Sequence, residues 1–297
     1  MAEGEGARPC RGGAEGRGGA GLTGKTRVTV GDAALHAFLT AEPRAKARSA
    51  RDLARAWGAE RLVPGPASAT WPERPARPVR PVLVAPGEMP RRRRAGSPQG
   101  RFALLHALAH IECNAIDLAL DIVGRFGPAM PPEFTTDWLQ VGAEEALHFL
   151  MLERLLRRSG GRYGDLPAHD GLWQAAEATA GNLAARLAVV PQVLEARGLD
   201  VTPAMIVRFE TMGDHQAASV LRRILADEIG HVEAGNRWFR HLARESGEEP
   251  ATWFRRLVTS HFQGEVKPPF NDSARAHAGL TMDWYSSLGS AVPACKS

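Results

Sequence analysis

Two tetrads of the form Glu-x-x-His stand out in the chain, Glu145-Ala146-Leu147-His148 and Glu228-Ile229-Gly230-His231. Positions three apart share one face of a helix, so each tetrad can offer a carboxylate and an imidazole to the same ligand. Both tetrads interrupt apolar stripes. Trp138, Val141, Phe149, Leu152 and Leu156 flank the first; Leu221, Ile224, Leu225, Val232, Gly235, Trp238 and Leu242 flank the second. A carboxylate in such a stripe is costly unless a cation or hydrogen bonds compensate it. One tetrad is worth little, since composition alone supplies roughly one match in a chain like this. Two further glutamates change that. Glu112 shares a face with Leu105, Leu108, Ile116, Ala119 and Val123, and Glu195 lies among Leu187, Ala188, Leu194 and Leu199. Glu112 to Glu145 and Glu195 to Glu228 are both 33 residues, and each member of the first pair precedes its counterpart by 83.

The order Glu, Glu-x-x-His, Glu, Glu-x-x-His is the ligand arrangement of carboxylate-bridged dinuclear metal sites in four-helix bundles. Two divalent ions would neutralise four carboxylates that otherwise repel one another in a dry cavity. Mixed nitrogen and oxygen donors favour iron, with manganese as the alternative, over magnesium or calcium. In this arrangement Glu145 and Glu228 bridge the ions, Glu112 and Glu195 are terminal ligands, and His148 and His231 hold one ion each. The chemistry expected of a ferrous pair is dioxygen activation to hydroxylate or desaturate an organic substrate, with an external electron donor. A second reading is metal handling, as a ferroxidase or peroxide scavenger. A third is a structural bundle with an unused site.

The runs around these residues carry a resemblance. His110-Ile111-Glu112, Ala115 to Asp121, Glu144 to Phe149, Leu194 to Asp200 and Asp227 to Val232 resemble an uncharacterised bacterial family of ferritin-like proteins, from about Asp32 onward. The resemblance implies an all-α fold of the ferritin-like di-metal carboxylate kind and a metal site, but no particular reaction. Among ferritin-like proteins one kind hydroxylates a modified tRNA base, so a modified nucleotide joins small molecules as a substrate class.

The elements that must position these ligands follow from periodicity and breakers. Four bundle helices are expected across 99–246: about Gln99 to Gly124, then from Thr135 or Thr136 to Arg158, then a third from near Asp170, and a fourth from about Asp214 to Arg244. The third contains Pro191, which predicts a kink or break one turn before Glu195. Gly198 and Asp200 predict an interruption, with Thr202-Pro203 restarting the helix. On the first helix His106, His110, Asp117 and Asp121 form a second polar face, read first as a surface or inter-helix hydrogen-bonding stripe; as the alternative, His110, Asp117 and Asp121 are candidates to support the ligand imidazoles from behind. Glu144 is turned about 100° from Glu145 and is expected to be exposed.

Outside the bundle, 1–24 is Gly-rich and expected to be disordered. Segment 25–98 should hold two short helices, from Asp32 and after Pro43, and a Pro-rich wrapping connector with a short edge segment at Val82 to Val84. Segment 247–297 should pack back as a helical cap carrying Trp284 and Tyr285. The net charge of +4 comes almost wholly from arginine. Arg91 to Arg94 reads as a solvated loop, with phosphate contact and hence nucleic acid a weaker reading. No apolar run predicts a membrane span or secretory signal, which makes the cytoplasm the default compartment. Cys10, Cys113 and Cys295 form neither a disulfide framework nor a zinc ribbon.

Overall fold

The computed structural model describes residues 27–89 and 96–289. The 1–24 tail and the Arg91 to Arg94 cluster lie outside the described residues. Among the described residues every regular element is helical, and β pairing is limited to two single bridges, Thr29 with Val63 and Leu83 with Ala168. Helix α1 is Val30–Phe38, capped by Thr29, whose side chain accepts the Asp32 N–H. Helix α2 is Pro43–Gly58. The connector then runs without a helix beyond one turn at Pro86–Glu88. Its expected edge segment is two hydrogen bonds long: Val84 N–H donates to the Ala168 carbonyl and Ala168 N–H to that of Val82.

Helix α3, Pro98–Phe126, and helix α4, Pro132–Arg158, form an antiparallel hairpin about the turn Gly127–Ala129. Helix α4 starts earlier than Thr135 because Pro132 suits the first helical position, where a missing N–H costs nothing. By length and apolar composition α3 with its turn could cross a membrane, but 78% of its most apolar window is buried inside the protein. It is the central core helix. Helix α5 is Gly171–Ala178. Helix α6, Leu183–Val189, runs through a π-helical segment, Val190–Glu195, directly into α7, Ala196–Thr211. Helix α8, His215–Ser246, is capped by Asp214 and ends on Gly247 with φ 66°.

Two prolines behave differently from the sequence-based expectation. Pro191 produces a π segment instead of a break, and its ring seats in α8 where Gly235 has no side chain. A Cβ on Gly235 would lie 2.6 Å from Pro191 Cβ and Cγ. Pro203 lies inside α7, which runs unbroken through Gly198 and Asp200. The carbonyl that Pro203 leaves without an N–H is that of Leu199, four residues back. Asn271 Nδ2 donates to it at 3.1 Å. Asp200 accepts from Arg275 Nε and Nη2 at 2.8 and 2.7 Å. Of the C-terminal helices α9, Pro250–His261, α10, Asp272–His277, and α11, Met282–Tyr285, α10 is thereby fastened to α7, while α9 packs on α6. Trp284 packs among Phe239 and Phe254, and Tyr285 against Phe270.

The second polar face of α3 fastens the outer elements. Asp117 pairs with Lys46 of α2 and with Arg77 of the connector. Asp121 accepts from Arg186 of α6 and from Arg125, each at 2.6 Å, and from Trp71 Nε1 at 2.8 Å. Arg186 is fully buried. Removing one partner of a buried ion pair leaves an uncompensated charge. Asp121→Ala is therefore expected to lower stability by about 3–5 kcal/mol, read as a lower midpoint of urea unfolding.

Candidate metal centre

The six ligand candidates converge from four helical segments. Glu112 comes from α3, Glu145 and His148 from α4, Glu195 from the last residue of the π segment, and Glu228 and His231 from α8. Glu112, Glu145, His148 and Glu228 each offer one ligand atom within 4.8 Å of all the others. His148 Nδ1 lies 3.2 Å from Glu112 Oε2 and 3.5 Å from Glu145 Oε2. His231 Nδ1 lies 2.9 Å from Glu145 Oε1 and 3.8 Å from Glu228 Oε2. Glu145 thus stands between the two imidazoles. Glu195 falls outside the tightest group, with its Oε2 sealed from solvent.

The polar atoms of this cluster are poorly served by the protein. Glu145 Oε1 and Oε2, Glu195 Oε2, Glu228 Oε2 and His231 Nδ1 are sealed, and none has an aligned hydrogen-bond partner. Buried polar atoms are seldom left so. Five in one cavity lined by carboxylates and imidazoles fit a metal ion, which would take their lone pairs at once. Without it, charge is balanced by protons. Burial, then the Glu145 charge, pushes Glu112 and Glu195 each up to about 8. Glu228 is raised for the same reasons. Burial opposes charge on Glu145 as well, but its contacts with His148 and His231 outweigh that and hold it low. Burial disfavours the His148 cation, yet hydrogen bonding to Glu112 and contact with Glu145 push it up to about 11.

Both imidazoles are held from behind, and across the pair of helices. His148 on α4 donates its Nε2–H to Asp227 Oδ2 of α8 at 2.9 Å. His231 on α8 donates its Nε2–H to Glu144 Oε2 of α4, also at 2.9 Å. This leaves each Nδ1 facing the cavity, the tautomer a ligand needs. Asp227 is tied to Arg223 Nε at 2.6 Å and Glu144 to Gln140 Nε2 at 2.6 Å.

These supports are not the residues that the sequence suggested. Asp117 and Asp121 are taken by the ion pairs described above. His110 accepts the Tyr163 O–H at Nδ1, 2.8 Å away, and its Nε2 lies 3.0 Å from the His169 carbonyl. The stripe that carries them faces away from Glu112. Glu144 is half-buried, because a residue turned 100° from the cavity on its own helix still faces the neighbouring helix. The available signal was the repeat itself: an acidic residue precedes the Glu of both tetrads.

The protonation pattern fixes a pH response for the metal-free protein. Glu112 and Glu195 rise from 4.5 to about 8, and His148 from 6.5 to about 11, so the folded state holds extra protons that it must give up as pH rises. His106 and His110, which burial pushes down from 6.5 to about 4, act in the opposite sense only below 6.5. Between pH 6.5 and 8 the Tm of chelator-treated protein should fall with rising pH. Metal-loaded protein, its ligands already deprotonated, should show a flatter profile in the same thermal scans.

Over 232 residues the chain is 41% identical to an uncharacterized protein of Haemophilus influenzae, covering 75% of this chain and 78% of that one. No solved structure matches it. The pattern of a family described as "Protein of unknown function (DUF455)" matches residues 39–286, and the chain belongs to that family.

Proposed function

We propose that the chain is a ferritin-like four-helix bundle that binds two divalent metal ions, iron before manganese, and acts as an oxygen-dependent oxidoreductase. The observation that carries this reading is the set of five sealed ligand atoms without an aligned hydrogen bond, gathered about two imidazoles that are each held from behind. Glu145, close to both imidazoles, and Glu228 are the carboxylates that would be shared by two ions if both bind. Glu112 with His148, and Glu195 with His231, complete the two ends. When bound, a ferrous pair supplies electrons for reducing dioxygen. Hydroxylation of a substrate C–H consumes one dioxygen, two further electrons and two protons and yields the alcohol and water, so an external donor is required. The protein's own part is to fix each Nδ1 toward the cavity, to keep four carboxylates in a dry core, and to hold protons on Glu112, Glu195 and Glu228 until metal displaces them.

The ferroxidase reading is favoured by one observation. A cleft of about 810 Å³ lies on the face of α3 opposite Glu112, not beside the cluster. The two readings separate by stoichiometry: a ferroxidase oxidises added ferrous iron repeatedly in air, whereas an oxygenase without its donor stops at about two irons per chain.

Loading should proceed in two steps. Four ligands are already assembled around His148, whereas Glu195 stands apart on the π segment. Anaerobic titration with ferrous iron should show one tighter and one weaker equivalent. Glu228→Ala should lose both. Gly235→Ala, which forces Pro191 and with it the π segment to move, should weaken the second step by about tenfold or more and spare the first. A protein that binds no stoichiometric iron or manganese under any loading would leave only a structural bundle.

A further inference from the structure

A cavity of about 810 Å³ opens on the outer side of α3, between that helix and the loop joining α4 to α5. It lies well within the size range of small-molecule sites. Its floor exists because α3 presents Ala103 and Ala107, one turn apart, where longer side chains would fill the space. Phe102, Ile111, Leu166 and Leu172 are among its apolar walls. From Ala103 to Glu112 is nine residues, about two and a half turns at 3.6 residues per turn, so this floor and Glu112 are on opposite faces. A ligand here does not reach the metal centre.

One polar group serves this cavity without serving the fold in full. His106 is 1% exposed and lines the cavity. Its Nε2 accepts the Gly164 N–H at 2.9 Å and the Leu166 N–H at 3.4 Å. That fixes the proton on Nδ1, and Nδ1–H has no partner among the described residues. Burial pushes this imidazole down to about 4, so it is a neutral donor near pH 7. The ring is braced on Tyr163, stacked at 5.4 Å and 25°, and Tyr163 is braced in turn on His110 at 6.1 Å and 23°. A rigid neutral N–H donor beside apolar walls selects for an acceptor on a flat, uncharged body: an anion would meet the Asp165 carboxylate that lines the same cavity, that carboxylate already accepts from the Arg162 backbone N–H and guanidinium, and a molecule lacking an acceptor would leave the His106 N–H dry.

We propose that this cavity is a second ligand site, separate from the metal centre, which takes an uncharged, flat ring compound whose carbonyl oxygen accepts the His106 Nδ1–H. The inference does not depend on metal binding.

The test is calorimetric titration of the full-length chain, with chelator present throughout, using coumarin as the probe. Naphthalene is the matched body without a carbonyl, and coumarin-3-carboxylate the charged analogue. Coumarin should bind saturably at one site per chain, and both comparison compounds about tenfold more weakly or less well still, as expected for one lost hydrogen bond or one buried charge. Ala107→Trp, which fills the floor, should abolish coumarin binding while the helical circular dichroism is unchanged. Ala103→Leu is the milder variant if the tryptophan perturbs folding, and should weaken binding at least tenfold. Absence of saturable coumarin binding would overturn the proposal, as would equal affinity for naphthalene, preference for the carboxylate, or binding unmoved by either substitution.

Discussion

The constraint on which this structure turns is the burial of four carboxylates and two imidazoles in one helical core. Dispersed singly, each would cost several kcal/mol to desolvate. With Glu112, Glu145, His148 and Glu228 within 4.8 Å of one another and His231 against Glu145, the group can be neutralised together by protons or by metal. The fold is arranged to keep them gathered: Glu145 stands against both imidazoles, and the imidazoles are pinned by carboxylates from the opposite helix. The reciprocal pairing of His148 with Asp227 and His231 with Glu144 locks α4 to α8 in register. A slip of one turn in either helix would break both links at once.

Helix α3 solves the same problem three times on three faces. Toward the centre it places Glu112. Toward α2, the connector and α6 it places Asp117 and Asp121, matched by Lys46, Arg77, Arg125 and Arg186. Toward the outer cavity it places His106 and His110, kept neutral by burial and satisfied largely through backbone groups and Tyr163. A helix so nearly all-round buried would otherwise be uniformly apolar. Most of its polar atoms are answered locally, and those answers hold the outer helices and the connector on the core.

The cluster of Glu112, Glu145, His148 and Glu228 was legible in the sequence because helical geometry is short-range: Glu-x-x-His on one face needs only the helix period, and the 33-residue interval places Glu112 and Glu145 level across one hairpin. What depends on distant partners was not legible. Pro203 reads as a breaker until Asn271 is seen to take the Leu199 carbonyl. Pro191 reads as a kink until Gly235 is seen to receive its ring. Asp117 and Asp121 read as supports for the imidazoles because their spacing matched that role, but lysine and arginine drawn from 46, 77 and 186 take them instead. Glu144 reads as exposed on its own helix, and its contact with His231 arises only between two. The outer cavity depends on the loop after α4, whose path no periodicity describes.

The sequence repeat is not matched by a repeat of surroundings. The interval of 83 residues relates two hairpins with the same donors, yet α3 carries Glu112 on an uninterrupted helix while Glu195 closes a π segment. The supports differ too. Asp227 shares one oxygen, Oδ2, between His148 and the Arg223 cation, which withdraws negative charge from that imidazole. Glu144 gives Oε2 to His231 and Oε1 to the neutral Gln140, and no cation shares its oxygens by a hydrogen bond, although its charge also reaches Arg223. Arg223 is more than half exposed, which screens its pull but also makes it responsive to salt. The centre is therefore symmetric in donor type and asymmetric in both preorganisation and field. If the proposed pair of ions binds, preorganisation favours the end with His148 for the first. The two ends differ although one motif is repeated, because helix α8 faces a π-interrupted neighbour where α4 faces a straight one.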